Sequence, residues 1–89
     1  MIDSLSSVIQ RYNLMRSPEA TAELVEVSGN EVKVRFRGPF VCTCGVIDWM
    51  EDLAYFAEDF GLELTLKEVE DLGPDEKLAV FELKRKESA

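Results

Sequence analysis

Residues 23–36 read ELVEVSGNEVKVRF, and the way this stretch turns back on itself decides the architecture. Gly29-Asn30 separates two runs in which apolar and charged residues alternate, the signature of two half-buried strands. A two-residue loop that opens on glycine suits a type II′ hairpin, whose twist matches the flanking strands. Such a loop sets Val27 opposite Val32, Val25 opposite Val34 and Glu26 opposite Lys33. One face of the hairpin is then Val25, Val27, Val32, Val34 and Phe36, a core face. The other carries Lys33, Arg35 and Arg37, with Glu26 placed to pair one of them. That basic row has two readings, a solvated sheet face or a surface that binds a protein partner.

A hairpin with one apolar face needs a cover, and the flanking sequence supplies it. Upstream, over residues 3–15, Ile2, Leu5, Val8, Ile9 and Tyr12 recur at helical spacing, with Asp3 or Ser4 as N-cap. Ser17-Pro18-Glu19 then interrupts the period. Downstream, Val46, Trp49, Met50, Leu53, Phe56, Ala57 and Phe60 line one side of a helix over residues 46–60. Asp48, Glu51, Asp52, Tyr55, Glu58 and Asp59 take its other side. Gly61 suits the C′ position, and Gly45 with Asp48 resembles a weak capping box.

Alternation then returns. Leu62, Leu64 and Leu66 are expected to face inward and Glu63, Thr65 and Lys67 outward. Asp71-Leu72-Gly73-Pro74 signals a turn, and LAVFELK makes the last strand. The order α-β-β-α-β-β predicts an α+β fold, a two-layer sandwich with both helices on one face of a largely antiparallel four-stranded sheet. Residues 1–89 read as one domain, with 84–89 a charged tail expected to fray. The two αββ halves suggest a pseudo-repeat, though no residue-level identity accompanies it.

Composition narrows the function. Eighteen acidic side chains against ten basic ones give a net charge of −8, which argues against binding a nucleic-acid backbone. The chain has no histidine, so the commonest general base and the commonest metal ligand are both missing. No acid–base constellation, phosphate loop or activated serine can be assembled, and the expectation is a protein that is not an enzyme. No apolar run approaches the ~18 residues of a membrane span, and the first residues lack the pattern of a secretory signal. A cytoplasmic location is expected, where thiols stay reduced.

Both cysteines of the chain fall in GPFVCTCGVIDWMEDL, which spans Gly38 to Leu53. In an extended stretch Cys42 and Cys44 would point to one side with alpha carbons roughly 6.6 Å apart, near the upper limit for a disulfide. Two such thiolates can grip one soft metal ion or one cluster iron but fill only half a tetrahedral site. A closed site would need ligands from a partner or from a second copy in a homodimer. The start of a helix at residue 46 favours a thiolate, whereas Asp48, Glu51 and Asp52 disfavour one. The competing reading makes both cysteines small apolar fillers. The acidic helix face of Asp48, Glu51, Asp52, Glu58 and Asp59 is a solvated face, a dock for a basic partner or a weak site for a divalent cation.

Residues 23–60, with ELVEVSGNEVKVRFRG as their closest part, resemble the C-terminal NifU-like domain, a small scaffold of iron–sulfur cluster assembly. That family runs helix, strand, tight turn, strand, paired-cysteine loop and second amphipathic helix. The resemblance implies that Cys42 and Cys44 hold or pass on an iron–sulfur cluster or another soft metal, shared between two subunits. The family motif is Gly-x-Cys-x-x-Cys. Here one residue separates the cysteines, and Phe40 and Thr43 stand where the motif would place them.

Overall fold

The computed structural model describes residues 2–39 and 46–85. Its elements are α1 (Ile2–Arg16), β1 (Thr21–Ser28), β2 (Glu31–Arg37), α2 (Val46–Glu58), β3 (Leu62–Gly73) and β4 (Glu76–Arg85). The strands form one fully antiparallel sheet in the order β1-β2-β4-β3, with both helices packed against one face. The α+β sandwich expected from the order of elements is therefore the fold. Each hairpin places its first strand at an edge and its second inside. β2 and β3 are parallel to one another because β4 lies antiparallel between them, and α2 carries the chain back from the end of β2 to the start of β3.

The hairpin loop is the one read from the sequence. Gly29 has φ of 60°, no other described residue of the loop has positive φ, and Ser28 pairs with Glu31. Val27 faces Val32 and Glu26 faces Lys33 as expected. Two residues further on the expectation fails. Leu24, and not Val25, pairs with Val34, because the register shifts between Leu24 and Glu26. The extra residue is Val25, which is 50% exposed, while Ala22 and Leu24 take the inward positions that strict alternation would give to Val25 and its neighbours. A single inserted residue reverses the side of every position before it. Val25→Thr should accordingly change stability by no more than about 0.5 kcal/mol, against about 1 kcal/mol or more for a core valine, measured by urea unfolding.

Other boundaries also moved. α1 starts at Ile2, so Asp3 and Ser4 fall inside its first turn and do not cap it. α2 ends at Glu58, and Phe60 packs on the core from the turn that follows. Leu62, Leu64 and Leu66 face inward as expected, but β3 runs on through Asp71 and Leu72, with register shifts at 66/68 and 71/73. The turn is made by Pro74 and Asp75 alone. β4 reaches Arg85, which pairs with Leu62, two residues into the segment read as a tail.

Side chains from both layers meet in one core. Leu5, Val8 and Tyr12 from α1 and Met50, Leu53, Phe56 and Ala57 from α2 close over Val32, Val34, Phe36, Ala79 and Phe81. Tyr12 is its keystone, with no exposed surface. Its ring stands edge-on to Phe36 at 5.5 Å and to Phe56 at 6.2 Å, and its hydroxyl donates to the Trp49 carbonyl at 2.7 Å. Asn13, one residue on, reaches the other way. Its amide donates to the Ala22 carbonyl at 3.0 Å and accepts from the Ala22 N–H at 2.7 Å. Ala22 lies on edge strand β1, so the Asn13 side chain satisfies main-chain groups at one position of that sheet edge, which would otherwise template pairing with another chain.

Candidate functional site

The sandwich leaves two surfaces where the sequence placed candidate residues, the outer side of α2 and the uncovered face of the sheet. On α2 the helical period puts Ile47, Glu51, Tyr55 and Glu58 along one line, opposite the buried Met50, Leu53 and Ala57. Tyr55 is 70% exposed and Ile47 46%, with Asp48 and Glu51 exposed beside them. Asp48 occupies the first turn, where the helix dipole favours a carboxylate.

Of the acids on α2 and in the turn that follows it, Asp52 and Asp59 are engaged by α1 whereas Asp48 and Glu51 are not. Asp52 accepts from Arg16 Nε at 3.0 Å, and the same guanidinium lies 5.5 Å above the Phe56 ring. Asp59 lies 4.0 Å from Arg11, whose guanidinium sits 5.7 Å over Phe60. These two acids hold α1 to α2 and to the turn after it, each pair contributing up to about 1 kcal/mol at such exposure. Asp48 and Glu51 form no ion pair with any described residue and keep their charge at the surface. Asp52, read from the sequence as part of a docking stripe, is turned toward α1.

Burial pushes the Tyr12 hydroxyl far above the ordinary phenol range, the Asp52 carboxylate adds to the shift, and Arg16 opposes it. The proton that bridges α1 to the Trp49 carbonyl is thus held firmly at neutral pH.

On the sheet, Lys33, Arg35 and Arg37 project to the uncovered side of β2. Lys33 Nζ is 3.6 Å from Glu26 and 3.9 Å from Glu31, and the Arg35 guanidinium pairs with Glu23 on β1. The Arg35 Nε is buried without an acceptor. Arg37, exposed at the strand end opposite Thr21 and Glu76, makes no ion pair with a described residue. Next to this row the sequence reading missed a second one. Leu78 and Val80 of β4 point to the same uncovered side, and beyond them stand Glu68 and Glu70 of β3. Glu68 becomes visible as an outward residue only once the shift at 66/68 is known.

Cys42 and Cys44 lie outside the described residues, in the link between β2 and α2. Among the described residues no three carboxylates gather closely enough to hold a metal ion, and no helix is long and apolar enough to cross a membrane. Comparison with models of protein families, with curated proteins and with solved structures gives no significant match, so the NifU-like resemblance rests on the sequence alone.

Proposed function

We propose that this chain is a non-enzymatic protein-interaction module that presents the outer face of α2 to a basic partner. The observation that carries the reading is the division of charge along that helix and the turn after it. Asp52 and Asp59 are engaged by α1, while Asp48 and Glu51 stay at the surface around exposed Tyr55 and Ile47. An aromatic anchor with an apolar neighbour and un-neutralised acids at its border is the make-up of an interface core and rim. Lys33 and Arg35 lie on the other layer, where they pair with Glu23, Glu26 and Glu31. The cytoplasm suits a small domain with two cysteines, since secreted domains of this size are commonly dense in disulfides.

A second reading assigns Cys42 and Cys44 to an iron–sulfur cluster, a soft metal or transient sulfur, and would make the chain an accessory to cluster assembly. What supports it is two thiols one residue apart between a central strand and a helix, together with the NifU-like text around them. One experiment separates the two. Tagged protein is purified anaerobically with its bound partner, and iron and labile sulfide are measured on the same sample. The interaction reading expects the partner to be retained by the Cys42→Ser/Cys44→Ser variant and lost, by about tenfold or more in affinity, from Asp48→Lys/Glu51→Lys. Binding unchanged by the charge reversal sinks that reading. Stoichiometric metal that disappears with the cysteines would install the second reading in its place.

A further inference from the structure

We propose that the uncovered face of the sheet is the contact surface of a homodimer in which two copies stack sheet on sheet. The proposal is independent of the partner assigned to α2, because the two surfaces lie on opposite layers. Across the sheet the uncovered residues change character strand by strand. β2 presents Lys33 and Arg35, β4 presents Leu78 and Val80, and β3 presents Glu68 and Glu70. These are in register, Lys33 and Glu68 both pairing with Val80, and Arg35 and Glu70 both with Leu78. A basic row and an acidic row thus flank, at equal steps, an apolar pair that Glu76 and Glu82 bound at its two ends on β4.

This arrangement is self-complementary under one two-fold axis only. If the axis runs along β4, in the plane between the sheets, a second copy places its β2 above the first copy's β3. Each Lys33 then lies over a Glu68 and each Arg35 over a Glu70, twice by symmetry, with Leu78 and Val80 of both copies sealed between them. An axis across the strands would instead set β2 over β2 and stack like charges, which disfavours it. The rotation of roughly 30° between packed sheets leaves these central pairs the closest. Glu68 and Glu70 have no ion pair with any described residue, so among the described residues the acidic row has no cation partner. A depression of about 340 Å³ lined by Glu31, Lys33, Glu68, Glu70, Leu78 and Val80 lies in the same place, open to side chains from above. Two copies so joined keep their helices outward and α2 accessible. Their net charges of −8 repel, but at physiological salt a screening length of about 8 Å weakens that repulsion more than the contact pairs.

Sedimentation equilibrium of the purified chain at physiological salt across the micromolar range tests this. The wild type is expected to dimerise, and Glu68→Lys/Glu70→Lys to weaken the dimer by at least about tenfold. Lys33→Glu/Arg35→Glu should do the same. The two variants mixed in equal amounts should recover a heterodimer, since each then offers what the other lacks. A monomeric wild type overturns the proposal, including the case in which a different protein covers this face. So does a dimer indifferent to Glu68→Lys/Glu70→Lys, or a mixture of two folded variants that stays monomeric. Should Lys33→Glu/Arg35→Glu fail to fold for loss of its pairs with Glu23, Glu26 and Glu31, the Glu68→Lys/Glu70→Lys result decides alone, because that variant breaks no ion pair within the described chain.

Discussion

Replacing Tyr12 by alanine should lower the free energy of unfolding by about 4 kcal/mol, and replacing it by phenylalanine by about 1 kcal/mol. The large value follows from complete burial. Alanine removes an aromatic ring that touches Phe36, Phe56 and the α2 backbone together, and no single neighbour can move in to fill the space. Phenylalanine keeps the ring and both edge-to-face contacts and loses only the hydroxyl. The Trp49 carbonyl left behind has a main-chain partner within α2, so the remaining cost is that of one modest hydrogen bond. For a domain of 89 residues whose total stability is of order 5–15 kcal/mol, the alanine variant should lose roughly 20 °C in melting temperature.

The same pair of proteins gives a pH signature. Folding raises the Tyr12 pKa through burial, so the folded chain holds that proton more tightly than the unfolded chain, in which phenol titrates near about 10. A raised acid contributes its stability in full below the unfolded value and loses it as pH climbs above. Wild type should therefore lose stability above pH about 10 that Tyr12→Phe does not lose. Every other group is common to the two proteins and cancels in the difference. Urea midpoints of the two proteins between neutral and strongly alkaline pH give the measurement. Parallel curves would show that the Tyr12 hydroxyl is not held in the folded state.

Gly38→Ala should cost about 3 kcal/mol, although no apolar contact is removed. Gly38 follows β2 with φ of 132°, a conformation L-residues rarely adopt. A Cβ there would stand 2.5 Å from the Glu19 carbonyl oxygen and 3.0 Å from that of Pro18. Its N–H donates to the Asp75 carbonyl at 3.1 Å, so backbone surrounds it from the α1–β1 link and from the β3–β4 turn. Relief would require main chain to move, which a flexible side chain could have avoided. Gly29→Ala supplies the control. That residue also has positive φ, yet nothing lies within 4 Å, so only the conformational cost of about 1 kcal/mol remains. Equal losses for the two variants in urea unfolding would contradict the close approach at Gly38.

Gly38 is also where the chain leaves the sheet on its way to Cys42 and Cys44. The backbone that crowds it therefore fixes the starting point of the thiol segment, whichever role the thiols have.

Much of this molecule could be read before it was seen folded. Side-chain direction follows from a local period, 3.6 in α2 and 2 in β2 and in the first half of β3, so Met50, Leu53, Val32, Val34, Leu62 and Leu64 announced their burial. Gly29 announced the hairpin because few residues accept its φ. The sequence by itself thus determined the elements, their order and the two-layer class. What it left open depends on contacts distant along the chain. The pairing of β2 with β4, and with it the order β1-β2-β4-β3, reflects which edges of two hairpins meet. Val25 is expelled by a bulge that only its partner strand reveals. Asp52 and Asp59 look no different from Asp48 and Glu51 in sequence, and it is the approach of Arg16 and Arg11 from α1 that sets them apart. Lys33 and Glu68 stand 35 positions apart and meet across one residue of β4 only in the sheet. Periodicity is a property of neighbours in the chain, whereas charge pairing and register are properties of neighbours in space, and only the tertiary structure decides those.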